Sequence, residues 1–201
     1  MKMPSSRRLA IFFTVTLSVV GLDQLTKYSV VDALTRRLEG RDTSLERLKA
    51  FYSTDPEGIF GYHFSPKRSI AVSENFFHIR YAENPGAAWS LFRNLPENIR
   101  RPFFHLISIL AVAFISYAFW QLKGSADEVW AVWGYPLVLG GALGNYVDRV
   151  ARSFVIDFLE VHWYNGPTWP SFNIADSAIC VGVGLLLIDA FLRREKVKVA
   201  R

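Results

Sequence analysis

The chain has 201 residues, of which 51% are hydrophobic and 20% charged, with a formal net charge of +5 and a single cysteine. These figures exclude a disordered chain and a disulfide-stapled secreted module. The apolar residues are also spread too unevenly for a soluble globule or a soluble nucleic-acid binder: Phe103 to Leu122 and Val129 to Val147 contain no Asp, Glu, Lys or Arg. At about 1.5 Å per helical residue, either run covers roughly the 30 Å hydrocarbon core of a bilayer, which reads as a polytopic membrane protein.

In chain order, Lys2, Arg7 and Arg8 precede the uncharged stretch Leu9 to Leu22. The pattern resembles a signal peptide, but no small-x-small cleavage site follows, and Asp23 to Lys27 continues the helical pattern, so a retained first span over about 8–31 is expected. Residues 32–101 then form a long loop. Within it, 36–70 is a polar insertion with turn formers at Asp55-Pro56-Glu57-Gly58 and Ser65-Pro66 and a short helix across Leu45 to Tyr52. Residues 75–83 alternate, with Phe77, Ile79 and Tyr81 on one side and His78 and Arg80 on the other, as in a strand. Spans are expected at about 102–122, 128–147 and 172–192, and the first and last of the four spans carry acids. Such acids face a bundle interior or a watery cavity and are the first place to look for chemistry. Cys180 reads as a packing residue. Basic residues crowd both chain ends, which puts both termini in the cytoplasm and residues 32–101 and 148–172 on the outer face.

The chemically suggestive residues gather at that outer face. Asp23 and Lys27 are four apart on one helix face, as are Asn145 and Arg149. Asp23 with Lys27, and Asp148 with Arg149, are most simply ion pairs or helix caps; Asn84 could bind loop carbonyls, and Asn173 could be an N-cap. Asp157, between Val155-Ile156 and Phe158-Leu159, and Asp176, before an apolar helix, are harder to explain as bystanders, because a carboxylate in such company loses hydration without compensation unless it has a partner. Two carboxyls sharing one water suit amide hydrolysis. One, ionised, takes the proton of the water, while the other, protonated, polarises the carbonyl and later donates a proton to the leaving nitrogen.

DQLTK at 23–27, NPGAAW at 84–89, GGALGNYVDR at 140–149, VIDF at 155–158 and FNIADS at 172–177 occur in the order and spacing of the bacterial lipoprotein signal peptidases, or signal peptidase II, which the chain resembles nearly throughout except at 36–70. The resemblance implies an all-α membrane protein, a single membrane-embedded peptidase domain over 1–201, with four transmembrane helices, a small extracytoplasmic β-strand cradle and the loop insertion. It implies an intramembrane aspartic endopeptidase of the bacterial inner membrane with Asp157 and Asp176 as its dyad. Asp23, Lys27, Asn84, Gly86, Asn145, Arg149, Asn173 and Ala175 match the residues that bind substrate or support the dyad. The implied substrates are prolipoproteins, cut on the amino side of a cysteine carrying diacylglycerol. No metal or organic cofactor is expected, and a monomer among membrane lipids, with no nucleic-acid partner, is the expected state.

The 75–83 strand and the small-residue loop after it could cradle an extended peptide by edge pairing. Trp89, Trp163, Tyr164 and Trp169 are expected at headgroup level. Pro85 and Trp89 depart from the family pattern, and Pro85 removes a backbone donor. The insertion carries seven basic and five acidic side chains and reads as a solvated flap without a core of its own. A small proton-coupled transporter or channel is the alternative, although a midplane acid is missing. His63, His78, His105 and His162 show no metal-ligand spacing along the chain, and no GxSxG elbow supports a serine mechanism.

Overall fold

A computed structural model describes residues 4–53, 69–86, 91–92, 94–123, 125, 128–164 and 166–199. The elements run α1 (Ser6–Leu34), α2 (Ser44–Phe51), β1 (Ser69–Ser73), β2 (Phe77–Asn84), α3 (Glu97–Trp120), α4 (Val129–Arg152), β3 (Val155–Val161) and α5 (Ile174–Val199). Among the described residues, three helical stretches are long and apolar enough to cross a membrane: Ser6–Leu34, Glu97–Trp120 and Ile174–Arg194. α4 matches them in length but not in apolarity, because its glycines, aromatics and Asn145 dilute the aliphatic residues, so three of the four expected spans meet the standard. α4 also continues past Val147, carrying Asp148, Arg149 and Arg152 on its last turns.

Contacts divide the chain into two compact units. The first comprises Met1–Asp23, Leu106–Gly144 and Ile174–Arg201. Its core gathers Phe12, Ile115, Phe119 and Leu139, with Phe12 stacked on Phe119 at 4.2 Å between ring centroids. Around that narrow core, Leu17, Phe114, Leu187 and Phe191 are each at least 64% exposed. Apolar surface on this scale is unfavourable in water and natural in lipid, where the helices' backbone groups are already satisfied internally. Gly141 allows close helix packing in this unit: a Cβ there would collide with the Ala175 carbonyl, which is backbone and cannot swing aside.

The second unit comprises Gln24–His105 and Asn145–Asn173 and holds α2 and an antiparallel sheet of order β1-β2-β3. The expected strand at 75–83 is β2. β1 lies at the end of what the sequence presents as insertion, and β3 carries Asp157. β3 shows no alternation because it is buried almost throughout, so apolar residues occupy both of its faces.

The short helix expected at 45–52 is α2, opened by a capping box in which Glu46 N–H donates to Thr43 Oγ1 and Thr43 N–H donates to Glu46 Oε2, both at 3.2 Å. The insertion is not a uniformly solvated flap. Leu38, Ala50 and Phe51 are buried, Tyr28 meets Phe51 edge-on at 5.3 Å, and Arg37 Nε donates to the Ala50 carbonyl at 2.9 Å. A few well-placed apolar side chains suffice here because they pack onto other parts of the unit and need no core of their own. Residues 54–68, the remainder of the expected flap, lie outside the described residues.

Candidate active site

Asp157 sits mid-strand on β3, 3% exposed, opposite Ala82 of β2. Its surroundings follow from a register shift. From Phe77↔Val161 to Ile79↔Leu159 the strands pair residue for residue, but Ala82 faces Asp157, so β2 has one extra residue across Arg80 and Tyr81. A bulge of this kind reverses which side chains share a face. His78 and Asn84, an even number of residues apart, would otherwise point the same way. Because of the bulge, His78 goes with Glu160, while Asn84 joins the face of Asp157 as its diagonal cross-strand neighbour. Tyr81 anchors the bulge, 1% exposed, with its hydroxyl donating to Glu83 Oε1 at 2.7 Å. Burial, and then the neighbouring Glu83, push its phenol well above the usual range, so it remains a donor.

Both carboxylate oxygens of Asp157 accept from side-chain amides: Oδ2 from Asn84 Nδ2 at 3.0 Å and Oδ1 from Asn173 Nδ2 at 2.8 Å. The orientation of Asn84 is settled by its other end, where Oδ1 accepts the Gly86 N–H at 3.0 Å. Gly86 is held in turn by Arg149, whose guanidinium donates to its carbonyl at 3.1 Å and lies over the Phe104 ring at 4.8 Å. Asn173, fully buried, also donates to Asn145 Oδ1 at 3.1 Å and to the Ile156 carbonyl at 3.3 Å. Lys27 Nζ reaches the same Asn145 oxygen at 3.2 Å.

The network converges on Asp148. It pairs with Lys27 Nζ at 2.8 Å and with Arg152, accepts from Gln24 Nε2 at 2.9 Å, and takes the Ile156 N–H at 3.0 Å, one residue before Asp157. Arg152 closes the chain by donating to the Phe51 carbonyl at 2.8 Å, with its guanidinium 4.4 Å from the centre of the Phe51 ring. The expected pairing of Asp148 with Arg149 is therefore wrong. One residue along a helix rotates the side chain by about 100°, so Arg149 turns towards Gly86, and Arg152, four positions on, shares the face of Asp148. Lys27, Asp148, Arg152 and Asp157 are all buried and balance to zero formal charge.

The first unit holds Asp23, Ala175 and Asp176. Asp23, fully buried, accepts the Ala175 N–H at 3.0 Å. Ala175 lies in the first turn of α5, where amides have no intrahelical acceptor, so Asp23 caps that helix from another segment and places a negative charge at its positive end. Asp176 follows as the acid of the same turn, partly buried. Gly144 makes room for this arrangement, since a Cβ there would lie 2.8 Å from an Asp23 carboxylate oxygen.

Seven of the ten residues singled out from sequence, Lys27, Asn84, Gly86, Asn145, Arg149, Asp157 and Asn173, thus belong to one connected network in the second unit. Asp23, Ala175 and Asp176 stand at the N-terminus of α5 in the first. Asp148, Arg152 and Gln24 also belong to the site without standing among the ten, although Asp148 and Arg152 have the same four-residue spacing as Asn145 and Arg149. Phe51 has no such signal, since its part is played by a backbone carbonyl. Ala87, Ala88 and Trp89 of the small-residue loop lie outside the described residues.

The family described as Signal peptidase (SPase) II matches residues 15–192. The chain belongs to the signal peptidase II family. A lipoprotein signal peptidase of Anaeromyxobacter sp. (strain Fw109-5) is 43% identical over 192 residues, covering 90% of this chain and 82% of that protein. Another, from Syntrophotalea carbinolica, is 46% identical over 120 residues, 60% of this chain and 71% of that protein. Among solved structures, a bacterial membrane enzyme determined by the in meso method at 2.3 Å resolution matches with a TM-score of 0.65 at 26% identity, covering 98% of this chain and 96% of that one. This signal peptidase II family member is a multi-pass membrane protein and a protease, and the transporter reading finds no support in these relatives.

Proposed function

We propose that this protease removes signal peptides from diacylglyceryl-modified prolipoproteins, cutting on the amino side of the lipidated cysteine, with Asp157 and Asp176 as its catalytic dyad. The observation that carries the reading is the buried Asp157 carboxylate clamped by the amides of Asn84 and Asn173 in a chain of the signal peptidase II family. Both its oxygens accept hydrogen bonds, which suits an ionised group, so Asp157 is the base and Asp176 the acid. Asp157 takes a proton from water as the water oxygen attacks the scissile carbonyl, and Asp176 gives its proton to the carbonyl oxygen. On collapse of the gem-diol it is then Asp157, now carrying the water's proton, and not the initial acid, that protonates the leaving nitrogen, while Asp176 recovers its own proton. The charges are then restored with no metal or cofactor. Asp23, Lys27, Asn145, Arg149, Asn173 and Ala175 position the acids, and Asn84 and Gly86 bind the clamp and the peptide.

In this reading α4 is the fourth span, lying against protein enough to tolerate its glycines. Both termini are cytoplasmic, and the dyad works near the outer face of the bacterial inner membrane, at the depth where a lipid-bearing cysteine holds its scissile bond. Exposed Trp163, Tyr164 and Trp169 suit the headgroup layer. The protein acts as a monomer among lipids. The test is incubation of purified enzyme with lipidated and unmodified prolipoprotein. The lipidated substrate alone should be shortened, and Asp157→Asn or Asp176→Asn should each reduce turnover by about 10³-fold or more, non-additively, with unfolding temperature retained. Near-normal turnover by either variant would refute the assignment.

A further inference from the structure

The same bulge that turns Asn84 towards Asp157 assembles a different cluster on the reverse face of the sheet. His78 on β2 stands directly opposite Glu160 on β3, and His162 follows Glu160 by two residues, so all three side chains share a face. Asp157, three residues before Glu160, points to the other side. One potential donor atom from each of His78, Glu160 and His162 lies within 4.8 Å of the others, and the imidazole centroids are 4.4 Å apart. Linear spacing concealed this group, because one histidine comes from a strand more than eighty positions earlier in the chain.

We propose that His78, Glu160 and His162 form a binding site for a divalent transition metal ion, Zn²⁺ foremost, clamping β2 to β3 on the face away from Asp157. The donor chemistry fits. Two imidazoles and one carboxylate are the set preferred by borderline cations, and a water completes a tetrahedron. The supporting contacts fit as well. His162 has Thr168 Oγ1 3.1 Å from Nδ1, leaving Nε2, now 2.7 Å from Glu160 Oε1, on the metal side. His78 Nε2 lies 3.0 Å from the Glu74 carbonyl, to which it can only donate, so Nδ1 is left with the lone pair. Ser171 Oγ donates to Glu160 Oε2 at 3.3 Å, leaving Oε1 to coordinate. Each ligand is thus oriented through the atom it does not offer to the metal, as second partners do in metal sites.

Two adjustments are required. A tetrahedral Zn²⁺ with bonds of about 2.0–2.1 Å sets its donors about 3.4 Å apart, so His162 Nε2 and Glu160 Oε1, now 2.7 Å apart, must separate slightly while the His78 donor settles at the same spacing from both. Arg80, 3.7 Å from Glu160 Oε2, must release that carboxylate, which its half-exposed side chain is free to do. The ion would stiffen the β2–β3 pairing that holds Asn84 beside Asp157, without touching the reacting atoms.

The test uses tag-free enzyme in detergent, stripped with chelator, then dialysed against micromolar Zn²⁺ and assayed for bound metal and unfolding temperature. A single bound equivalent and a rise of several degrees are expected for the wild type, with both lost in His162→Gln and in His78→Gln. His78 lies on β2 and His162 just past the end of β3, so His78→Gln serves as the comparison if His162→Gln is unstable. Co²⁺ loaded into the wild type should show the strong visible absorption of a tetrahedral site. Failure of the wild type to retain Zn²⁺, or equal retention by the two variants, would overturn the proposal. Proteolysis by His78→Gln without added metal should match the wild type, which keeps this test separate from that of the aspartate dyad.

Discussion

Asp148 pairs with two cations, Lys27 and Arg152, that are buried with it. Removing one partner from a buried charge network leaves the others uncompensated, at about 3–5 kcal/mol. Asp148→Ala is therefore expected to lower the unfolding free energy by that amount, and activity with it, by thermal or denaturant unfolding in detergent. Asn173→Ala removes donors to Asp157, Asn145 and Ile156 but leaves no naked charge pair, so about 1–3 kcal/mol and a proportionally larger loss of turnover are expected. Arg149→Ala should weaken both stability and activity through the loosened Gly86 loop; an inactive protein of undiminished stability would move Arg149 from positioning into chemistry. The site residues themselves were legible in the sequence, because polar groups embedded in apolar runs demand an explanation. Their partners were less so. Spacing identifies which residues share a helix face, but not that Lys27 reaches across to Asp148, 121 positions away, or that a backbone carbonyl at Phe51 completes the chain.

At the scale of elements, the glycines of α4, each with another segment's atom within 3 Å of an added Cβ, contrast with a glycine that faces open space in α5. Gly141→Ala must displace the Ala175 backbone, and Gly144→Ala must displace the Asp23 carboxylate that caps α5, so each should lose about 1–3 kcal/mol, with Gly144→Ala also impairing turnover. Gly184→Ala in α5, with nothing within 4 Å of the added Cβ, should instead be neutral or stabilising by about 0.5–1 kcal/mol, which calibrates the comparison in one unfolding assay. Helices were the legible part of the fold: the expected spans at 102–122 and 172–192 coincide with α3 and α5 in their apolar middles, while the polar ends, from Glu97 in α3, beyond Val147 in α4 and out to Val199 in α5, extend past the apolar runs. The sheet was legible only where one face stays wet. β2 alternates over its first half and was found. β3, buried on both faces, reads as any short apolar run, and the bulge that decides which residues meet Asp157 has no sequence signature at Arg80-Tyr81.

For the whole molecule, the described part of the insertion after α1 is structural. Residues 36–53 contribute buried Leu38, Ala50 and Phe51, and the Phe51 carbonyl receives Arg152, which itself neutralises Asp148. Replacing 38–68 by a short linker would strip that acceptor and the ring beneath the guanidinium, leaving Arg152 without its second anchor inside the unit. Replacing 54–68 alone keeps α2, its capping box and the Arg37 contacts with Ala50 and Ser53. The shorter replacement is expected to give wild-type unfolding temperature and cleavage of lipidated substrate, whereas the longer one should unfold earlier by several degrees and lose most activity. Both variants can be compared by detergent melting and by the product-shortening assay. Equal behaviour of the two would mean that Phe51 contributes nothing to the site, and inactivity of a well-folded 54–68 replacement would place that segment in substrate binding.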